Sequence, residues 1–351
     1  MSGTIQLANP NTDHFPAFIF GNATLRESAA WDRLQAVAPD EAAAFLAYAA
    51  TVDTDAANAR FLALTDRHGA THMVAPDTAR GQHIVICGAG PSLAEHIADY
   101  APDADQVWGC NSALPWLVAH GHRATHGFCI DQTTAMIGEW ASSPDVEYLL
   151  ASTVHPHLTE FLLGRARRLQ FFHNYVGLQH APVQREDGTV LAYEDWLYAG
   201  LYPASVRVGT GLNAVTRAID VARFMGAGRI TVLGADCALR LTAPRPDAAP
   251  GSAEHVHWLR AHTIMHADGG NALASGATPM TFGGEIDGRW WETKPDLVIT
   301  ALTLRRLADA LPDLITLVGD TLPNALAGKS EAFLARMPQL TSSDWSAIPL
   351  L

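Results

Sequence analysis

The chain has 351 residues, of which 48% are hydrophobic, and its formal net charge is −13. This length and apolar fraction predict a globular protein with one large α/β unit and an added subdomain. The negative charge argues against binding to nucleic acid or to anionic membranes. No apolar run approaches the roughly 20 residues of a membrane span, and the amino terminus lacks the pattern of a signal peptide.

Four cysteines, Cys87, Cys110, Cys129 and Cys237, lie in or next to apolar runs and form no C-x-x-C pair. This placement is typical of small buried residues rather than of disulfides or zinc ligands. We therefore expect free thiols in a reducing compartment, which indicates a cytoplasmic protein.

Taken in chain order, residues 1–80 are alanine-rich with apolar residues at helical spacing, which predicts an N-terminal helical region. From residue 83 onwards, short apolar runs indicate strands at 83–87, 106–110, 126–130, 147–152, 168–172 and 229–234. Helices are predicted between them at 92–100, 112–120, 157–166 and 211–226. This alternation predicts that residues 81–240 form a Rossmann-like core of the α/β class, with a doubly wound, mostly parallel sheet.

Two stretches interrupt the alternation. Residues 174–208 are rich in aromatic and turn residues, and we interpret them as a lid or an acceptor-side insertion. Residues 240–285 form a second insertion with a proline-rich loop and a short helix. We expect residues 241–351 to combine this insertion with C-terminal elements that complete the core, including a helix at 296–311 and an apolar run at 314–319.

The sequence "GAGPS" joins the first predicted strand to a helix. Its two glycines permit close approach of a ligand, and Ser92 with Glu95 matches the capping box S-x-x-E. A phosphate at this helix N-terminus would contact Gly88, Ala89, Gly90, Pro91 and Ser92. The alternative is a tight strand-to-helix turn without a ligand.

The next predicted strand ends in "GCNS", without the acid that would bind the ribose of NAD. Leu93 also replaces the third glycine of a dinucleotide fingerprint, so the sequence disfavours NAD. Asn111 and Ser112 remain candidates to bind the base or the ribose of another nucleotide.

Two acids follow predicted strands, Asp131 in "CIDQT" and Asp236 in "LGADC". If both strands share one sheet, the carboxylates emerge at one edge, where they would hold Mg²⁺ or act as general base. Helix caps or turn formers are the alternative for each.

A second glycine-rich helix entry, "GTGLN", makes Thr210, Gly211 and Asn213 candidates to contact a second phosphate or the acceptor. A simple N-cap is the alternative for this segment. His262 and His266 are four residues apart and would share a helix face. They are candidate acid, base or anion-binding residues, with packing as the alternative.

The segments "VICGAGPSL", "WGCNSALPWLVAHG", "GFCIDQT" and "GTGLNAVTRAIDVARFMGAGRITVLGADCAL" together resemble the MptE-like family, and the likeness extends over roughly residues 80–330. That family includes archaeal 6-hydroxymethylpterin diphosphokinases and motility accessory factors linked to flagellin glycosylation. The resemblance implies a Rossmann-like fold with a nucleotide at the "GAGPSL" loop. It implies ATP as donor with Mg²⁺ in the first branch, and a CMP-activated, sialic-acid-like sugar in the second.

The sequence therefore favours a nucleotide-dependent transferase that moves pyrophosphate from Mg-ATP to a small hydroxymethyl acceptor. In this hypothesis Asp131 and Asp236 bind the metal, and His262 and His266 complete the catalytic set. A glycosyltransferase that uses a CMP-sugar is the alternative, and a non-catalytic nucleotide-binding module is the second alternative. The expected partners are small molecules, and the sequence leaves the oligomeric state open.

Overall fold

The computed structural model describes residues 73–131, 135–140, 145–151, 154–163, 165–174, 183–184, 190–191, 207–208, 213–249, 252–269, 282–293, 295–330 and 332–333. The helical region predicted for residues 1–80 therefore lies outside the described residues, apart from its last eight positions. Most of the predicted insertion at 174–208 lies outside them too.

The first half of the fold alternates strands and helices: β1 (His83–Cys87), α1 (Ser92–Tyr100), β2 (Gln106–Cys110), α2 (Ala113–Ala119), β3 (His126–Cys129), α3 (Ala135–Glu139), β4 (Glu147–Ala151), α4 (Pro156–Leu163) and β5 (Arg168–Asn174). The middle contains β6 (Val183–Gln184), β7 (Val190–Leu191), β8 (Arg207–Val208), α5 (Ala214–Phe224) and β9 (Arg229–Leu233). The last part contains β10 (Arg240–Leu241), α6 (Ala253–His262), β11 (Thr263–Ile264), β12 (Phe282–Ile286), β13 (Arg289–Thr293), α7 (Pro295–Ala310), β14 (Ile315–Leu317) and α8 (Leu322–Ala325).

The central sheet has the strand order β14-β9-β1-β2-β3-β4-β5-β8. Every neighbouring pair in it is parallel. Helices α1 and α2 cover one face through Leu93, Ile97 and Leu117, whereas α5 and α7 pack together on the other face. The predicted Rossmann-like, doubly wound α/β fold is therefore confirmed.

The strands of the central sheet are mostly apolar because helices cover both sides of the sheet. All five residues of β1 are buried. An aromatic layer crosses the face that α5 covers, with Trp108 stacked on Phe128 (ring centroids 6.1 Å apart) and Phe128 stacked on Phe172 (4.9 Å). This layer joins β2, β3 and β5 into one core.

In the described residues outside the main sheet, three antiparallel ribbons pair β6 with β7, β10 with β11 and β12 with β13. The β12–β13 hairpin turns at Asp287 and Gly288, which both have positive φ angles. Within the described part of the chain, no helix is long and apolar enough to cross a membrane. All four cysteines are free and buried, as predicted.

Candidate functional site

The strand order reverses between β1 and β9. The chain runs outwards from β1 through β2 to β5 and β8, and it then returns to β9 on the opposite side of β1. In open α/β sheets, ligands bind at the carboxyl ends of the strands beside such a topological switch point. Here that edge is formed by Gly88–Ser92 after β1, Asn111 after β2 and Gly234–Asp236 after β9.

The loops after β1 and β9 touch through their backbones. The N–H of Gly88 donates to the carbonyl of Leu233, and the N–H of Gly90 donates to the carbonyl of Gly234, both at 2.8 Å. A Cβ on Gly88 would lie 2.6 Å from the Gly234 oxygen, and one on Gly234 would lie 2.1 Å from the Gly88 oxygen. Glycine is required at these positions because the backbones of the two loops are in contact. This favours the interpretation of Gly88 and Gly90 as a tight turn.

The N-terminus of α1 binds an anion that belongs to the protein itself. The Ser92 N–H donates to Oδ2 and Oδ1 of Asp236 (3.1 and 3.2 Å), and the Ser92 hydroxyl donates to Oδ2 at 2.8 Å. Ser92 is the first residue of the helix and its side chain does not cap it, so the predicted capping box with Glu95 is wrong. The carboxylate from the β9 loop replaces the cap because a charged acceptor binds helix N–H groups more strongly than a hydroxyl.

A chain of charges connects Asp236 to the surface. Nη2 of Arg240 lies 4.0 Å from Oδ1 of Asp236, and the Arg240 guanidinium binds both carboxylate oxygens of Glu95. These hydrogen bonds hold the pKa of Glu95 below its usual value. Burial raises the pKa of Asp236, although hydrogen bonds from Ser92 and the charge of Arg240 oppose that shift. Two carboxylates share one guanidinium here, so this group of three side chains has a net negative charge.

The two predicted metal ligands leave strands that are well separated. Asp236 follows β9 and Asp131 follows β3, three strand spacings or about 14 Å away. Mg²⁺ takes ligands at about 2 Å, so the strand ends do not place both carboxylates on one ion. Among the described residues, no group of three or more His, Cys, Asp or Glu side chains is arranged to hold a metal. Magnesium binding therefore stays a prediction.

Asn111 holds an unusual backbone conformation at the end of β2, with φ of 45°. Its N–H donates to the Phe128 carbonyl (3.0 Å), and its carbonyl accepts from Nε1 of Trp140 (3.1 Å). Its Oδ1 is buried and has no hydrogen-bond partner within the described part of the chain. A strained residue with an unsatisfied amide oxygen, next to the β1 loop, is a strong candidate to bind a ligand. Ser112 follows it at the start of α2 and makes no side-chain capping bond.

The two predicted catalytic histidines lie in different environments. Helix α6 ends at His262, so His262 and His266 do not share a helix face, and that interpretation is wrong. The ring of His262 packs against Trp258, with centroids 5.5 Å apart. His266 instead lies beside the predicted nucleotide loop, because the N–H of Ala267 donates to the carbonyl of Ala89 at 2.8 Å.

In the second glycine-rich segment, only Asn213 is described. Its side chain accepts from the Thr216 N–H at 3.1 Å and caps α5, as the alternative interpretation of this segment proposed. Thr210 and Gly211 lie outside the described residues.

Sequence reasoning missed the loop after β14, which closes a third side of the site. A Cβ on Gly319 would lie 3.1 Å from Cβ of Ser92, and the Leu322 N–H donates to the Asp236 carbonyl at 3.0 Å. Nδ2 of Asn324 holds this loop by donating to the carbonyls of Leu317 and Gly319. The glycine and asparagine in "VGDTLPNALAG" were the available signals.

Comparison with known proteins agrees with the resemblance seen in the motifs. The chain is similar to the solved MAf glycosyltransferase from Magnetospirillum magneticum AMB-1, with 13% identity and a TM-score of 0.45 over 76% of this chain. This chain spans only 39% of that protein. No curated protein gives a significant match. The family model described as 6-hydroxymethylpterin diphosphokinase MptE-like matches residues 63–241. Because that match covers just over half of its length, the chain belongs to the MptE-like family.

Proposed function

We propose that this protein is a nucleotide-dependent transferase whose donor binds at the carboxyl edge of β9, β1 and β2. The observation that most supports this proposal is the state of Asn111. This residue has a positive φ beside the β1 loop, and its amide oxygen is buried without a hydrogen-bond partner among the described residues. The description of the family as diphosphokinase-like supports the transferase class.

The reaction that we propose first is transfer of pyrophosphate from ATP to a small hydroxymethyl acceptor. The acceptor oxygen forms a bond to the β-phosphorus of ATP while the bond from that phosphorus to the α–β bridging oxygen breaks. AMP leaves, and the hydroxyl proton passes to a base. We assign His266 to this role because its segment binds the loop at Ala89. Magnesium, when bound, supplies neutralisation of phosphate charge.

Asp236 has a positioning role in this proposal. Its carboxylate already accepts hydrogen bonds from the N–H and the hydroxyl of Ser92, so the N-terminus of α1 carries its anion before the donor arrives. We infer that Asp236 holds the β1 loop in shape, and that Ala89 and Asn111 contact the donor.

Glycosyl transfer from a CMP-sugar is the second candidate. The acidic network of Glu95, Arg240 and Asp236 favours a donor with a single phosphate over a triphosphate, because each added negative charge is repelled. In this reaction the acceptor oxygen forms a bond to the anomeric carbon while the bond from that carbon to the phosphate oxygen breaks. CMP leaves, and the acceptor's hydroxyl proton passes to a base.

Thermal unfolding with ATP, GTP, CTP, CMP and CMP-sialic acid, each with and without Mg²⁺, tests both candidates. Stabilisation by ATP only when Mg²⁺ is present supports pyrophosphate transfer. Stabilisation by CMP or the CMP-sugar without Mg²⁺ supports glycosyl transfer. If no nucleotide raises the melting temperature, both proposals fail.

The variant Asn111→Gly separates binding from folding. Glycine adopts a positive φ without strain, so we expect this variant to fold as stably as the parent chain while it loses nucleotide stabilisation. An unchanged ligand-induced shift in Asn111→Gly would remove Asn111 from the site.

A further inference from the structure

Arg240 lies at the edge of the proposed donor site, and its guanidinium is occupied by another side chain of the protein. Nη1 donates to Oε1 of Glu95, and Nη2 donates to Oε2 of Glu95 at 3.1 Å. Nη2 also lies 4.0 Å from Oδ1 of Asp236, the carboxylate that binds the N-terminus of α1. The cation therefore stands at the carboxyl edge of β1 and β9, where the donor phosphates are proposed to bind.

Glu95 is a partner that Arg240 can exchange for another anion. The side chains of Glu95 and Arg240 are 46% and 34% exposed. Exposed ion pairs contribute little to stability, because water solvates both charges after they separate. Glu95 lies on the exposed side of α1, so its carboxylate would enter solvent directly. Its release from Arg240 therefore costs little.

The way in which Glu95 binds Arg240 indicates what could replace it. A guanidinium presents two parallel N–H groups, which match the paired oxygens of a carboxylate and of a phosphate equally well. The same edge has an independent sign of a ligand, the buried Oδ1 of Asn111, which has no hydrogen-bond partner among the described residues. Glu95 therefore occupies a position on Arg240 that a phosphate of this ligand could take.

We propose that Arg240 is a phosphate-binding residue of the donor site that Glu95 occupies in the free protein, so that the donor binds by displacing Glu95. The exchange makes Glu95 a competitor of every anion that enters the site, and only a ligand that binds Arg240 more strongly is retained. The inference rests on the proposed transferase function and names the residue pair that controls donor affinity.

Calorimetric titration of the full chain with inorganic pyrophosphate, without Mg²⁺, tests the proposal. We expect Glu95→Gln to bind pyrophosphate about fivefold to tenfold more tightly than the parent chain does. The lower limit is the effect in water of one unit charge about 4 Å away. Arg240→Gln should bind it about tenfold to a hundredfold more weakly, the range of a lost hydrogen bond to a charged group.

Asp99→Asn is the matched control for the loss of a negative charge. Asp99 lies on α1, is exposed, and follows Glu95 by four residues, so it lies on the same helix face about 5.4 Å farther along. Its charge acts on the site only from a distance, so pyrophosphate affinity should rise at most about twofold. An equal gain in Asp99→Asn and Glu95→Gln would mean that net charge alone matters, and would overturn the proposal.

The double variant Glu95→Gln/Arg240→Gln separates an exchange from two independent charge effects. If Glu95 competes for Arg240, then Arg240→Gln must cost more affinity in the Glu95→Gln background than in the parent chain. The extra loss should equal the gain that Glu95→Gln gives alone, about fivefold to tenfold. Additive effects of the two substitutions would show that Glu95 does not act through Arg240 and would refute the exchange. Absence of pyrophosphate binding by Glu95→Gln would refute it as well.

The same titrations with ATP and CMP keep this inference apart from the proposed function. Pyrophosphate binding with the expected coupling, in a chain that binds neither nucleotide, would uphold the exchange at Arg240 and refute the proposed donor. Nucleotide binding that changes in neither Glu95→Gln nor Arg240→Gln would overturn the exchange and leave the transferase proposal standing.

Discussion

Gly90 has no room for a side chain at the switch point. A Cβ there would lie 2.2 Å from Oδ2 of Asp236 and 2.7 Å from the Gly234 oxygen. We expect Gly90→Ala to lower the free energy of unfolding by about 1–3 kcal/mol, because the β1 and β9 loops must separate. Urea unfolding measures this loss.

Gly138→Ala provides the control, since Gly138 lies in α3 and its added Cβ would have no atom from elsewhere in the described residues within 4 Å. Alanine favours helix, so this variant should be as stable as the parent or slightly more stable. If both alanine variants unfolded at the same urea concentration, the close contact at Gly90 would not be a constraint.

Asp236 predicts a dependence of stability on pH. Burial raises its pKa in the folded protein, so the folded state binds this proton more tightly than the unfolded state does. The contribution of Asp236 to stability therefore falls as pH rises from the unfolded pKa, about 3.9, through the folded pKa. Relative to Asp236→Asn, the parent chain should be less stable at pH 7 than at pH 4 in urea unfolding. A relative stability that increases with pH would contradict the raised pKa.

The sequence identified Ser92 and Asp236 as residues of the site and Glu95 as part of a capping box, but it did not identify their partners. Glu95 binds Arg240, and Ser92 binds Asp236, which lies 144 positions further along the chain. A local pattern such as S-x-x-E carries no information about a carboxylate that arrives from another strand. The anion at the N-terminus of α1 is therefore set by a tertiary contact, the one between Asp236 and Ser92, and not by the local sequence.

The sequence predicts where the helices and strands lie in the chain better than it predicts the residues at which they begin and end. The predicted strand 83–87 and the predicted helix 92–100 coincide with β1 and α1. The helix predicted from residue 211 begins instead at Ala214, because Asn213 caps it. His262 and His266 were misassigned to one helix face because nothing in their spacing showed that α6 ends at His262.

The hairpin of β12 and β13 is tied to α6 by one buried carboxylate. Oε1 of Glu292 accepts from Nε of Arg245 (3.1 Å), Nε2 of His255 (2.9 Å) and Nε1 of Trp290 (2.6 Å), and the Glu292 side chain is fully buried. Glu292→Leu would leave these donors without their acceptor. We expect a loss of roughly 3 kcal/mol or more in the free energy of unfolding, measured in guanidinium.

The exposed ion pair of Lys329 with Asp287 is the comparison for Glu292, since it joins the same hairpin to the turn that follows α8. Asp287→Asn should cost less than about 1 kcal/mol, because exposed pairs contribute little. A similar cost for the Glu292 and Asp287 variants would show that burial does not strengthen the Glu292 contacts.

At the scale of the whole molecule, the sequence predicted the α/β class but not the order of the strands. The distance between Asp131 and Asp236 depends on that order, because β9 lies beside β1 and β3 lies two strands away on the other side. Pairing of parallel strands joins residues that are far apart in the chain, as in the alignment of Ile84 with Ile230. The sequence therefore predicts that Asp131 and Asp236 lie at the same edge of the sheet, but it does not predict how far apart they lie along that edge.

The buried thiols report on opening of the whole core. Burial raises the pKa of Cys87, Cys110 and Cys129, and Cys237 is also buried. Since the thiolate is the reactive form, we expect the native protein to react with an aromatic disulfide reagent at pH 8 only over hours. The protein unfolded in guanidinium should release four equivalents at once. Rapid reaction of any thiol in the native state would show an open core.

The carboxylate of Asp236 at the N-terminus of α1 would also affect how the protein binds the proposed donor. The β1 loop is held by hydrogen bonds that form when the chain folds: Ser92 donates to Asp236, and the N–H groups of Gly88 and Gly90 donate to the carbonyls of Leu233 and Gly234. Its ordering entropy is therefore lost during folding and not during binding. The protein freed of every small molecule should keep this loop in the same conformation. The proposed donor should therefore bind to a preorganised loop that does not rearrange.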